Sequence, residues 1–249
     1  FALAAGLVGF IATFGNFGLD YAIIQKGAKA TEEDYDVGMS LRIVISVGLF
    51  IATVLGAGPW ASLFRSPLVT PTTQVLALIY LVIPWSFVPG TRLSAELRYR
   101  AIAVPNVLSQ VVNSVLAIAM AFLGYGVWAL IIPMVIAQAG AVVAYSVMRR
   151  WRFRLSFRRE TSRALLGYAR HLVVASILGF LITNIDNFAV GYFLGSAALG
   201  VYAVAYGLGY LPVSLVSTPA GSALFPSLTR VQERPEVLKR GYLESFGYA

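Results

Sequence analysis

The chain contains no cysteine and only one histidine, and this composition excludes common kinds of site. Without cysteine there is no disulfide and no thiolate metal site. A single imidazole, that of His171, cannot form a histidine cluster around a metal ion. We therefore expect no metal and no other cofactor, and no set of residues points to catalysis.

Charged residues are also scarce. They make up 12% of the chain, whereas soluble domains carry roughly 25%, and the mean hydropathy is +0.76. A soluble helical repeat protein would need helices with alternating polar and apolar faces, which this sequence does not show. Its apolar residues come instead in blocks near the roughly 20 residues that cross a bilayer core. Because these blocks lack strict alternation, they predict membrane-spanning helices.

Seven apolar blocks predict an all-α integral membrane protein built as a bundle of about seven transmembrane helices. The predicted spans are residues 1–24, 37–58, 72–92, 105–123, 127–148, 168–190 and 198–218. Prolines fall inside several of them, and each removes a backbone donor and bends its helix. Pro84 is one example. Such prolines fit simple packing and bend points for alternating access equally well.

The basic residues are divided very unevenly between the two sets of alternate connectors. One set holds 18 of the 19 lysines and arginines, and the other holds only Arg65. Because cytoplasmic loops are enriched in lysine and arginine, the first set is predicted to be cytoplasmic and Phe1 to lie on the outer side. The predicted location is thus the cytoplasmic (inner) membrane. The arginine-rich run at 149–159 then predicts contact with anionic lipid rather than nucleic acid.

A weak internal repeat suggests how the spans are grouped. Residues 1–7 align with residues 202–208 at an offset of 201, with identity at four of the seven positions. This offset equals six spans, so the repeat would be parallel, about an axis along the membrane normal. The predicted domains are spans two to six of an N-terminal lobe in 1–148, a basic cytoplasmic linker in 149–167, and the first two spans of a C-terminal lobe plus a cytoplasmic segment in 168–249. We therefore expect a fragment of a larger protein.

Several segments resemble one transporter family. The segments are GLDYAIIQK (18–26), AELRYR (95–100), GYGVWAL (124–130), NIDNFAVGYFLG (184–195), ALGVY (198–202) and LFPSLTR (224–230). They are similar to polysaccharide exporters in the oligosaccharide-flippase (Wzx-like) branch of the MATE-like MOP superfamily. Asp20 departs from the small residue expected at its place.

The resemblance implies a two-lobed bundle of about twelve to fourteen helices with parallel halves. Such a bundle would flip or export an undecaprenyl-linked glycan by alternating access. The implied partners are membrane lipid, the lipid-linked glycan and other membrane proteins of glycan assembly.

Other functions stay open at this point. A drug/cation antiporter of the same superfamily would favour an acidic cavity, and only Asp20 and Asp186 are plausible carboxylates within the membrane. A membrane enzyme of glycan assembly, a polymerase or ligase, would need a sizeable outer loop with clustered acids, histidine or arginine. The longest outer connector, about 59–71, offers only Arg65. A lipid-binding scaffold that transports nothing is a further alternative.

Polar side chains inside the spans supply the candidate pathway residues, because such groups usually face the bundle interior or a watery cavity. Stripes with helical spacing run through Thr13, Asn16 and Asp20, through Asn106, Gln110 and Asn113, and through Thr183, Asp186 and Asn187. Arginine suits a pyrophosphate, although it also anchors inner membrane faces. The candidates, each open to a structural alternative, are Asn16, Asp20, Arg42, Arg92, Asn106, Gln110, Asn113, Arg170, Asn184 and Asp186.

Overall fold

Helices account for every regular element in the part of the chain that the computed structural model describes, namely residues 1–15, 18–148, 151, 153–231, 236, 237, 239, 241 and 243. The helices are α1 (Ala2–Gly15), α2 (Leu19–Lys26), a 3₁₀ turn (Gly27–Lys29), α3 (Glu32–Leu63), α4 (Val69–Ala77), α5 (Ile79–Val82), α6 (Pro84–Ala95), α7 (Tyr99–Phe122), α8 (Trp128–Met148), α9 (Arg159–Phe193) and α10 (Gly195–Arg230).

These helices confirm the predicted fold class. Within the described residues, five are long and apolar enough to cross a membrane, and the number rises to seven if each of two bent pairs forms one span. Every predicted span corresponds to one of them. The chain is a multi-pass α-helical membrane protein.

Four helices are longer than the apolar blocks indicated. α7 begins at Tyr99 rather than at 105, and α10 ends at Arg230 rather than at 218. α3 begins at Glu32 rather than at 37, and α9 begins at Arg159, inside the predicted linker. A 32-residue helix is about 48 Å long, well beyond a hydrocarbon core of about 30 Å. Charged first turns can therefore lie outside the core while the helix continues through it, and hydropathy does not detect them.

Both bent spans have a local cause in the backbone. The third span turns by 50° between Val69–Val82 and Pro84–Ala95, and Pro84, which cannot donate a backbone hydrogen bond, stands at the break. The first span turns by 41° between α1 and α2. Gly18 begins α2 with a φ of 57°, and a Cβ there would lie 2.2 Å from the Leu172 side chain. Only glycine fits this break, which α9 approaches closely.

Apolar packing joins the helices at one end of the bundle. Leu3, Ala61, Val69 and Leu199 form a buried cluster there, contributed by α1, α3, α4 and α10. The indole of Trp60 donates to the Leu3 carbonyl at 3.0 Å. This cluster is called the apolar end below.

Ion pairs join the connectors at the other end, called the basic end below. Glu32 at the start of α3 pairs with Arg92 at the end of α6. Glu33 accepts from the Arg158 guanidinium at 2.7 Å and from the Thr161 hydroxyl at 3.0 Å. The hydrogen bond to Glu33 raises the pKa of Arg158, so this guanidinium stays charged. The connectors that carry most of the basic charge thus meet at one end, as their alternation along the chain predicts.

Candidate functional site

A polar cavity lies within the helices toward the basic end. Its volume is about 270 Å³. Residues from α2, α3, α6, α7 and α8 and from the α5–α6 junction line it, namely Asp20, Ile24, Arg42, Ile83, Ser86, Phe87, Gly90, Thr91, Ser94, Ile102 and Tyr145. Because α6 follows the bend at Pro84, the bend brings several of its side chains to the cavity wall.

The cavity contains two side chains of opposite charge. Asp20 comes from the first turn of α2 and Arg42 from α3. Arg42 is half-buried, with its Nε atom enclosed, and Asp20 lines the same cavity. Arg42 stands ten residues into α3, about 15 Å along the axis from Glu32. A half-buried arginine at this depth is stabilised by an anionic or polar neighbour, since an isolated buried charge is very costly.

A tyrosine connects the cavity to one of the predicted polar stripes. Tyr145 of α8 lines the cavity, and its hydroxyl lies 3.3 Å from Asn106 Oδ1 and 3.2 Å from the Ile102 carbonyl, both on α7. Asp20, Arg42 and Asn106 were separate candidates in the sequence. Asp20 and Arg42 line this cavity, and Asn106 contacts it only through Tyr145.

The size of the cavity limits what it holds in this conformation. Its volume lies just below the roughly 300–1,000 Å³ of ligand pockets. A phosphate or a single sugar fits such a space. A lipid-linked glycan requires the helices to separate.

Arg92 and Arg170 lie outside this cavity. Arg92 pairs with Glu32 at the basic end, and its guanidinium carbon lies 4.3 Å from the centre of the Tyr35 ring. Arg170 is exposed on α9. Both positions fit arginines that anchor the helices at the inner membrane face. A role of either residue in the substrate pathway stays a prediction.

The amide stripe on α7 lies outside the cavity wall, and within the described residues only its Asn106 touches a lining residue. Gln110 is exposed. Asn113 is half-buried, and its Oδ1 atom is enclosed without a hydrogen-bond partner among the described residues. Asn16 lies outside the described residues, so its candidate role stays a prediction.

On α9 the candidates make local contacts or reach α10. Asn184 donates to the Phe180 carbonyl at 3.0 Å. Asp186 accepts from the hydroxyl of Tyr202 on α10 at 2.5 Å. The stripe that contains Asp186 therefore connects the last two spans, far along the chain from the cavity residues.

Sequence reasoning missed the uncharged part of the cavity wall. No pattern in the sequence marked the hydroxyl side chains of the wall, because isolated hydroxyls are common in membrane helices. These are Tyr145, Ser86, Thr91 and Ser94. For metals, no group of three or more His, Asp or Glu side chains within the described residues is arranged to hold an ion.

Long apolar helices around a charged cavity define a multi-pass membrane protein with a polar chamber inside its bundle. The family model described as "Polysaccharide biosynthesis protein" matches residues 1–248, and the chain belongs to this family. The resemblance to polysaccharide exporters is thereby confirmed at the level of the family.

Three curated relatives have similar sequences. The succinoglycan biosynthesis transport protein ExoT of Rhizobium meliloti (strain 1021) is 23% identical over 241 residues, covering 94% of this chain and 47% of ExoT. The teichuronic acid biosynthesis protein TuaB of Bacillus subtilis (strain 168) is 24% identical, covering 92% and 47%. The lipopolysaccharide biosynthesis protein WzxC of Escherichia coli (strain K12) is 22% identical, covering 91% and 46%.

The chain thus spans about half the length of the curated relatives that it matches. No solved structure matches it significantly.

Proposed function

We propose that the protein containing this chain moves a lipid-linked saccharide across the cytoplasmic membrane by alternating access, without forming a covalent bond. The observation that carries this proposal is the pair of opposite charges, the half-buried Arg42 and Asp20, in the wall of one cavity between spans. Family membership and the names of the relatives, which concern polysaccharide biosynthesis and transport, support it.

Arg42 suits the anionic end of a lipid-linked glycan. Its planar guanidinium matches the oxygens of a pyrophosphate in a bidentate arrangement. In the proposed mechanism the pyrophosphate replaces Asp20 as the partner of Arg42, so that one anion is exchanged for another. The cavity hydroxyls, such as those of Ser86 and Tyr145, would then contact the first sugar.

The cavity charges favour this function over the export of cationic drugs. An antiporter for cations needs an excess of negative charge in its cavity, whereas Asp20 here faces an arginine. A glycan-assembly enzyme would need a cluster of acids or histidine in place of this single pair. The two bent spans support alternating access, because bends at Gly18 and Pro84 let the two ends of a span tilt separately.

The proposal is tested by measuring on which face of the membrane the lipid-linked glycan is found. In cells that lack the gene for the full-length protein, we expect lipid-linked glycan to accumulate on the inner face, and the wild-type protein should return it to the outer face. We expect Arg42→Ala to lower the rate of appearance at the outer face roughly tenfold or more, a loss of about 1.4 kcal/mol of interaction. Arg42→Lys should be intermediate, since it keeps the charge but loses the planar fork.

The control is Arg100→Gln, which removes an exposed arginine near the basic end. It should leave the rate per folded molecule unchanged. Normal sidedness of the glycan in the deletion strain would contradict the proposed function. Equal losses in the Arg42 and Arg100 variants would contradict the role of the cavity.

A further inference from the structure

Three tyrosines form a ladder along α10. Tyr202, Tyr206 and Tyr210 follow one another at intervals of four residues, which places them on one face of the helix. Their ring centres are 6.1 Å and 6.0 Å apart, and adjacent rings are inclined by only 29° and 12°. Because neighbouring rings cover one another's faces, the ladder presents ring edges and phenolic hydroxyls to its surroundings.

The ladder continues the face of α10 that packs inside the molecule. Leu199 begins this face and is only 2% exposed, where it packs with Leu3 of α1 at the apolar end. Further along this face, Tyr206 and Tyr210 are more exposed, at 38% and 46%.

The opposite face of α10 has the character of a surface in contact with lipid. Val204, Leu208 and Leu215 are 66%, 64% and 71% exposed and are entirely apolar. The tyrosine face and the lipid face are thus on opposite sides of α10.

The hydroxyl groups require a polar partner. Tyr206 and Tyr210 lie within Gly195–Leu215, a segment able to span the membrane. Among the described residues, neither hydroxyl has a hydrogen-bond partner, whereas that of Tyr202 donates to Asp186. A polar group turned toward hydrocarbon without a partner is costly. The hydroxyls of Tyr206 and Tyr210 therefore need water or a polar ligand beside this face of α10.

We propose that Tyr202, Tyr206 and Tyr210, with Asp186 at one end, form a contact surface for the saccharide part of the transported molecule. This proposal rests on the proposed function and adds a second contact region, on α9 and α10. Phenolic hydroxyls both donate and accept, as sugar hydroxyls do.

The chemistry of α10 favours the sugar over the pyrophosphate. Residues 195–229 contain no charged side chain at all. A pyrophosphate would require arginine or lysine close by, and Arg42 supplies that in the other region. The two regions thus divide one substrate into an anionic part and an uncharged, hydroxyl-rich part.

Photo-crosslinking in the full-length protein tests which molecule faces the ladder. A benzophenone amino acid is placed at Tyr206 or, as a matched control on the opposite face, at Leu208, in cells that make lipid-linked glycan. Adducts are identified by mass spectrometry. We expect a glycolipid adduct at 206 and a phospholipid adduct at 208. Phospholipid at both positions would overturn the proposal, as would an adduct at 206 to another segment of the same protein.

Removal of the hydroxyls tests the function of the ladder. The double variant Tyr206→Phe/Tyr210→Phe keeps the ring stack and loses two hydrogen-bonding groups. Because one neutral hydrogen bond contributes roughly a two- to tenfold factor, we expect the rate of glycan appearance at the outer face to fall roughly tenfold. Tyr192→Phe, which alters an exposed tyrosine at the end of α9, should change nothing.

The outcomes separate the two proposals. Wild-type protein that fails to change the sidedness of the glycan would refute the proposed function. Active wild-type protein together with an unimpaired double variant would refute the ladder alone. A loss of activity fully explained by a lower protein level would assign the ladder to packing and also refute the ligand contact.

Discussion

The two ends of the bundle differ in their polar contacts. At the basic end, exposed ion pairs such as Arg158–Glu33, with side chains 62% and 36% exposed, add to a buried apolar cluster that includes Ile23, Val37 and Leu165. At the apolar end Leu3 and Leu199 are almost fully buried, and the Trp60 ring lies 5.6 Å from that of Phe188.

These contacts set the cost of separating the helices at each end. Exposed ion pairs contribute about 0–1 kcal/mol each, because water replaces the lost partner. Close packing between membrane helices is lost outright when they separate. The ion pairs of the basic end therefore add little to the cost of separating its helices, and the buried apolar clusters at both ends supply most of that cost.

The largest expected contrast between the two ends is their access from outside the cell. Basic charge predicts that Ser156, near the basic end, is cytoplasmic and that Tyr125, in the α7–α8 turn, is external. With single cysteines at these positions in intact cells, an impermeant thiol reagent should label Tyr125→Cys and not Ser156→Cys. The reverse pattern would overturn the predicted topology.

A smaller, still substantial effect is expected from overpacking the apolar end. A Cβ at Gly191 of α9 would lie 3.1 Å from Leu199, 3.2 Å from Leu3 and 3.2 Å from Phe64. Gly191→Leu should therefore force the helices apart and destabilise the protein by about 1–3 kcal/mol. A thermal unfolding assay in detergent measures this. The control is Gly179→Leu on the same helix, where a Cβ meets nothing within 4 Å.

If both glycine variants lowered the melting temperature equally, close packing at the apolar end would not be the cause.

The smallest effect is expected at the basic end. Glu33→Gln removes the charge that pairs with Arg158, and we expect the stability to fall by less than about 1 kcal/mol. Because salt screens exposed charges, this difference should disappear at high ionic strength. Thermal unfolding at low and high salt is compared with that of Glu160→Gln, a change at an exposed residue of α9. A loss that persists in high salt would show that the basic end is not held by screened ion pairs.

Hydropathy predicted the seven spans because crossing a bilayer demands long apolar runs, and nothing in packing can override that demand. The proline at position 84 indicated a bend, since its missing backbone donor acts locally. The first turns of α3 and α9 escaped prediction, because they are charged and lie outside the apolar runs.

The candidate site was only partly predictable for a related reason. The free-energy cost of a charged side chain in lipid identifies Asp20 and Arg42 individually as candidates. Their position around one cavity, however, depends on how α2 and α3 pack. Tyr145 and the tyrosine ladder were missed, although the four-residue spacing of the ladder is visible in the sequence. Tyrosine is ordinary in membrane helices, so the spacing gains meaning only when the face it occupies is known.

The length of α9 has a mechanical consequence. Its 35 residues make a rod of about 52 Å, held near one end by the Thr161–Glu33 contact and joined at the other to α10 through Leu194. A tilt of about 10° at the held end would displace the far tip by roughly 9 Å. The close packing of Phe188 and Gly191 at that tip opposes the displacement, so the apolar end acts as a clamp on a long lever.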